Sequence, residues 1–152
     1  SINPFKQHTI QQVQKNVFNE HEIRFIPGPA WNDLAPASIQ LLMQEPFRID
    51  AKSNRMGFLF NGPAIHLSAP KDYLSSAVTM GTLQLLPNGQ IIVLMADHQT
   101  IGGYANLGQI ILVDLPRLAQ ASNQTSIHFM ETTIDTAHKL YQQIEKKFIH
   151  RS

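Results

Sequence analysis

The chain has 152 residues, 43% hydrophobic and 15% charged, with a formal charge of +1 and no cysteine. A domain of this length buries about 68–70% of its unfolded surface, and the composition is that of a globular chain rather than a disordered one. The balanced charge argues against a nucleic-acid binder of the basic-patch kind, the missing thiols exclude disulfides and thiolate chemistry, and no apolar run approaches the ~18–20 residues of a membrane helix.

Residues 1–22, rich in Gln, Asn and His, are weakly periodic and read as an N-terminal extension or linker. They contain no apolar h-region, so they are not read as a secretory signal. The chain starts at Ser1 rather than Met, which suggests a piece of something longer. The domain proper is expected over 23–152. "IRFIPGP" (23–29) reads as a short strand stopped by Pro-Gly-Pro. In "APASIQLLMQEP", Ile39, Leu42 and Met43 share one face, which predicts a short amphipathic helix ended by Pro46.

Strand-rich sequence follows. "FRIDA" alternates from Phe47 to Ala51, and "MGFLFNG" forms an apolar strand from Met56 to its Asn61-Gly62 closure. Leu83 to Leu86 and Ile91 to Met95 flank Pro87-Asn88-Gly89-Gln90, the strongest hairpin signal in the chain. Pro suits the first central position of the turn, Asn the second, and Gly the left-handed site of a bulged hairpin. "QIILVD" (109–114) reads as a buried strand, "DLPRLAQAS" as a helix of one to two turns, and "TSIHFMET" (125–132) as a strand. In the last segment Ile134, Ala137, Tyr141, Ile144 and Phe148 recur at 3/4 spacing, which predicts a helix. Asp135 near its start suits the helix dipole, and Lys139, Lys146, Lys147 and Arg151 read as a solvated face. Many short strands with few helices predict a mainly β fold, a barrel or sandwich with peripheral helices.

Several familiar sites are absent from the sequence. No phosphate loop of the G-x-x-x-x-G-K-[ST] type occurs. "GGYANLG" is followed by a strand, which rules out a dinucleotide fingerprint. There is no G-x-S-x-G elbow, the seven histidines show no ligand spacing, and no Met-Lys-Met tripeptide marks a biotinylated lysine. Two stretches remain. In "SNRMG", Arg55 stands at the entry to an apolar strand, where a guanidinium can clamp a carboxylate; the bland alternative is an ion pair with a structural acid, with Asn54 shaping the turn. In "ADHQTIGGY", a strand delivers Asp97, Gln99 and Thr100 to a sheet or barrel rim. Asp97 suits a general base or a water-orienting group, and Gln99 and Gln84 suit an amide or carboxylate partner. Gly102 and Gly103 would permit positive φ and close approach to a ligand. Against this, an Asp at a strand end often only caps a turn, and Tyr104 and His98 are more often packed or solvated than catalytic.

These stretches also carry a family resemblance. "RFIPGP", "SNRMGFLFNGP" and "GTLQLLPNGQIIVLMADHQTIGGYANLGQIILVDLPRLAQ", within Arg24 to about Glu131, resemble the second half of the allophanate hydrolase subunit 2 family. That family includes the C subunit of 5-oxoprolinase, the KipA proteins and part of the carboxyltransferase domain of urea carboxylases. The resemblance implies a cyclophilin-like closed β-barrel, the C-terminal half of a longer subunit whose N-terminal half is a further partner. It implies an ATP-dependent hydrolase, 5-oxoprolinase, which opens 5-oxoproline to glutamate. The implied partners there are a KipI-like protein of the B type and a LamB/YcsF-like protein of the A type. The isolated fragment is expected to be inactive. The alternatives are a KipA-type antagonist of a KipI-like kinase inhibitor and a biotin-dependent carboxyltransferase of the urea amidolyase type.

Under the resemblance the matching positions are Asn54, Arg55, Met56 and Gly57, then Gln84, Pro87, Asn88, Gly89, Asp97, Gln99, Thr100, Gly102, Gly103 and Tyr104, with Asp114 in the closing "DLPRL". Asp97 and Arg55 are the expected catalytic pair, as base or water-orienting group and anion clamp. Asn54, Gln84, Gln99, Thr100, Gly102, Gly103 and Tyr104 are expected to bind a small amide or lactam. His98 stands at a variable position and is given no role. The chain itself is expected to bind no metal and no cofactor, with ATP used by the full complex and biotin relevant only to carboxyl transfer. No nucleic acid or membrane partner is expected, and a reducing, cytoplasmic location fits the missing cysteines.

Overall fold

The structure is a computed structural model, and it describes residues 22–149. All but the last residue of the expected extension therefore lies outside the described residues. Glu22 itself opens the first strand, β1 (Glu22–Pro27), opposite His128. Ile23 and Phe25 alternate into the core, and Pro27-Gly28-Pro29 ends the ladder. A 3-10 turn at Trp31–Asp33 leads to α1 (Pro36–Gln44), with Pro36 in the first turn, where its missing N–H costs nothing. The helix stops at Gln44 because Glu45 precedes Pro46 and is held extended, at φ −93° and ψ 147°.

The remaining strands are β2 (Phe47–Ile49), β3 (Gly57–Asn61), β4 (Ser76–Ala77), β5 (Thr82–Leu85), β6 (Ile91–Leu94), β7 (Ile101–Gly102), β8 (Ala105–Ile110) and β9 (Ser126–Glu131). Seven of the nine described strands close into a barrel in the order β1-β8-β5-β6-β3-β2-β9, and a parallel β9–β1 pairing completes the ring. Among the described residues β4 and β7 pair only with each other, as a separate two-stranded ribbon. The mainly β, closed-barrel class expected from the sequence is the class observed.

The barrel interior is filled. Phe47, Phe60 and Phe129 meet edge to face, with centroids 5.7 and 5.2 Å apart, among Leu83, Ile91 and Leu107. The hairpin turn forms as its residues dictate. Gly89 sits at φ +87°, its N–H donates to the Leu86 carbonyl at 3.0 Å, and Leu86 N–H donates to the Gln90 carbonyl at 2.8 Å.

Two expectations are corrected. "QIILVD" is not one strand: β8 begins earlier, at Ala105, and Leu112–Asp114 is a 3-10 turn leading into α2 (Leu115–Ala119). The reason is Asp114, whose side chain is 0% exposed. Its carboxylate accepts the Arg24 backbone N–H at 2.8 Å and two guanidinium bonds, from Nε at 2.9 Å and Nη2 at 2.8 Å. Turning the chain inward there satisfies a buried charge that an extended strand would leave unpaired. Glycines 102 and 103 do not adopt positive φ; among the described residues only Gly81 and Gly89 do. The last helix, α3 (Ile134–Ile149), forms over the predicted span, yet none of its residues is buried. Ile134 and Phe148 are 70% and 73% exposed, and within the described residues the helix lies against the 112–114 turn.

Candidate functional site

Alternation along three neighbouring strands builds one wall on the outside of the barrel. On β5, Leu83 and Leu85 enter the core, so Gln84 points outward. On β6, Ile91 and Val93 enter the core, so Ile92 and Leu94 point outward. The register sets Gln84 beside Ile92 and Ile92 beside Leu59 of β3, a continuous cross-strand row. The β4–β7 ribbon lies over this wall. Between wall and ribbon is a cavity of about 460 Å³, floored by Leu59, Ile92 and Leu94 and roofed by Val78, Ile101 and Gly102.

Gln84 stands out within it. The residue is 3% exposed, and its Nε2 is the buried side-chain nitrogen or oxygen that lacks a hydrogen-bond partner among the described residues. A buried amide donor left unmade costs about 1–3 kcal/mol, and native structures carry few such groups. The β5–β8 ladder slips between Leu83 and Gln84, a bulge of the kind that re-aims side chains beside functional sites. Gly102 matters here through space rather than φ: a Cβ on it would stand 2.7 Å from Gln84 Nε2, so the glycine leaves the amide its position.

The cavity gathers Asn54, Gln84, Gln99, Gly102, Gly103 and Tyr104 of the sequence-derived candidates. Asn54 also shapes its turn, since its Oδ1 accepts the Met56 N–H at 2.8 Å. Arg55, Asp97 and Thr100 do not line the cavity. Arg55 and Asp97 pair with each other at the rim, Nε to Oδ2 at 3.1 Å, with side chains 83% and 56% exposed. The Asp97 backbone N–H donates to the Arg55 carbonyl at 2.9 Å, which ties the two motifs together. Thr100 contributes its carbonyl, which accepts the Val78 N–H at 3.2 Å where the ribbon starts.

Sequence reasoning passed over Lys52, which lines the cavity beside Asn54. It sits in the turn between β2 and β3, where its backbone N–H donates to Asp50 Oδ1 at 2.7 Å. That bond, with the Asn61 side chain and the Lys52 charge adding to it, holds the Asp50 carboxyl below its ordinary value. Ser53 pins the same turn to β3, accepting the Leu59 N–H at 2.9 Å. Only the strand register brings Lys52 to the row that begins at Gln84, and periodicity alone does not supply a register.

A second hollow of about 590 Å³ shares Leu86, Gly103 and Tyr104 with the first and includes Lys71 and Tyr73. There the Tyr73 hydroxyl donates to Asp33 Oδ2 at 2.9 Å and Lys71 Nζ approaches the same oxygen at 3.2 Å. Burial, then the bond to Asp33, pushes the Tyr73 phenol up to about 12. No cluster of His, Asp and Glu suited to a metal ion occurs among the described residues, and no described helix is long and apolar enough to cross a membrane.

Comparison with known proteins gives a consistent pattern. A family model described as the carboxyltransferase domain, subdomain A and B, matches residues 2–131. The chain is 34% identical over 137 residues to the C subunit of 5-oxoprolinase from Escherichia coli (strain K12), a match covering 90% of this chain and 44% of that protein. The protein of the same name from Haemophilus influenzae is 34% identical over 123 residues, covering 81% of this chain and 40% of the relative. The chain thus spans less than half the length of these curated relatives. Among solved structures, the urea carboxylase of Kluyveromyces lactis superposes with a TM-score of 0.76 at 18% identity, over 82% of this chain and 12% of that one, a likeness of fold alone.

Proposed function

The chain belongs to the carboxyltransferase-domain family of subdomains A and B, and from that premise we propose that it is the barrel portion of the C subunit of a 5-oxoprolinase. In this reading it works in a complex that opens the lactam of 5-oxoproline to glutamate with ATP. KipI-like and LamB/YcsF-like proteins are its partners, and the remainder of the same polypeptide completes it. The observation that carries the reading to a site is the buried, unpartnered Gln84 amide in a small, largely apolar cavity. A lactam presents its N–H and C=O along one edge, because the ring holds the amide cis. A carboxamide side chain offers the matching acceptor and donor, so the two can form a pair of hydrogen bonds. A carboxylate would satisfy the donor but oppose the amide oxygen. The Ile92 and Leu59 floor suits ring methylenes, and closing the ribbon over them excludes water from the amide bonds.

Arg55 and Asp97 are assigned to the mouth as a unit, with Asp97 orienting water and Arg55 holding Asp97. Their exposure supports a role there rather than in the cavity.

The test uses the full-length protein mixed with its A- and B-type partners. ADP release that requires both 5-oxoproline and this protein is the expected result. ADP release indifferent to 5-oxoproline, with every component folded, would remove the reading. The family description favours a second chemistry, carboxyl transfer from a separate biotin carrier to urea, whose edge would also pair with Gln84. Carboxylation of urea in the presence of a biotinylated carrier would select it.

A further inference from the structure

The cavity has two unlike ends. At the β5 end lies the Gln84 amide, buried and neutral. The row then crosses Ile92 on β6 and Leu59 on β3, both apolar. Beyond β3, in the turn that Ser53 ties to Leu59, stands Lys52. Neighbouring strands lie about 4.8 Å apart, so the row from β5 to β3 spans roughly 10 Å. No ion pair engages Lys52 among the described residues. The nearby acid, Asp50, accepts the Lys52 backbone N–H and feels the Lys52 charge, but the two side chains form no ion pair. Arg55, the cation expected from the sequence to bind an anion, is engaged by Asp97 outside the cavity lining. Lys52 is therefore the cationic residue among those that line the cavity.

We propose that the cavity binds its ligand in one orientation, with an amide edge deep against Gln84 and an anionic group at the mouth against Lys52. The ligand class is a small cyclic amide that carries a carboxylate on the far side of its ring. Lys52 is thus a specificity-determining residue for the site, selecting acidic lactams over neutral ones. The inference rests on the lactam reading of the cavity given above and adds to it the direction in which the ligand lies and the group that fixes it.

Three probes separate the two ends: 5-oxoproline, 2-pyrrolidinone, which lacks the carboxylate, and cyclopentanecarboxylate, which lacks the amide. Binding is measured by calorimetry on the full-length protein in complex with its partners, and melting curves check that each variant is folded. The wild type is expected to bind 5-oxoproline about tenfold or more tighter than either partial probe, the scale of one charge-assisted hydrogen bond. Lys52→Met should erase the advantage over 2-pyrrolidinone, and Lys52→Arg should retain most of it. Gln84→Met should erase the advantage over cyclopentanecarboxylate. If Lys52→Met binds 5-oxoproline as the wild type does, or if Arg55→Met loses the discrimination instead, the orientation is overturned while the lactam site stands. If the wild-type complex does not bind 5-oxoproline, the lactam reading falls and this inference with it.

Discussion

Two side chains with similar burial have opposite standing. Asp114 is buried and engaged by Arg24 and Arg117, and donating to the Asp114 carboxylate raises the Arg24 guanidinium above its ordinary value. Gln84 is buried and its Nε2 is idle. The first is a structural clamp: Asp114→Ala would take away the acceptor that Arg24 and Arg117 share and should destabilise the fold by about 3 kcal/mol, read from urea unfolding. The second is a binding group, and its steric dependence on Gly102 gives a sharper test. Gly102→Ala should shift melting little, by less than about 1 kcal/mol, because the group in the way is the end of a flexible side chain. It should nevertheless abolish ligand binding, because the Gln84 amide is pushed off its line. Parallel loss of stability and binding would identify Gly102 as a packing residue. The sequence made Gln84 a candidate hydrogen-bond partner, first by its residue type and then through the resemblance, but the property that matters, a buried donor without a partner, exists only once the ribbon covers it.

Elements built on local chemistry were legible, and elements built on distant partners were not. The hairpin at Leu86–Gln90 follows from Pro, Asn and Gly in order, and its glycine has the left-handed φ the turn demands. Gly89→Ala should cost about 1–2 kcal/mol for that φ, with added crowding from Ala64 and Ile65 3.3 Å away, measurable as a lowered denaturation midpoint. The ribbon strands β4 and β7 are two residues each and have no period to read. The turn at Leu112–Asp114 is dictated by Arg24, ninety positions earlier in the chain. The helix at 134–149 was legible from its 3/4 spacing, yet that spacing does not say whether the stripe is covered.

At the scale of the molecule, the order of strands joins the two ends of the domain, since β1 pairs with both β8 and β9. Such pairings carry no signature in a single chain, so the barrel class was expected through patterning and resemblance while its register was not. The electrostatic limits of the fold follow from a few tethered groups. The Asp33 carboxyl is lowered by the Tyr73 and Lys71 hydrogen bonds, and the Asp50 carboxyl by the Lys52 N–H. A lowered carboxyl gives stability that is full above its unfolded value, ~3.9, and is lost as pH falls through the folded value. Tyr73, raised to about 12, acts in the other direction, giving stability below the unfolded phenol value that is lost as pH climbs toward 12. Melting temperature should therefore fall on both flanks, below about pH 4 and above about pH 10. Tyr73→Phe should flatten the alkaline flank, and an unchanged flank in that variant would show that the loss comes from other groups.

The roof of the cavity is the slightest element of the fold. β4 and β7 are paired over Ser76–Gly102 and Ala77–Ile101, with the Val78 N–H to Thr100 bond beside them, and among the described residues they join no other strand. So small a cooperative unit opens locally at a free energy far below that of global unfolding. Hydrogen–deuterium exchange should find the Val78 amide exchanging early, while the amides of Leu83 and Val93 in the barrel wall exchange only with the whole domain. A ligand seated between Gln84 and the ribbon would couple that loose unit to the wall, so its binding free energy would appear as slowed exchange at Val78. The ribbon is then both the entrance to the site and a reporter of its occupancy.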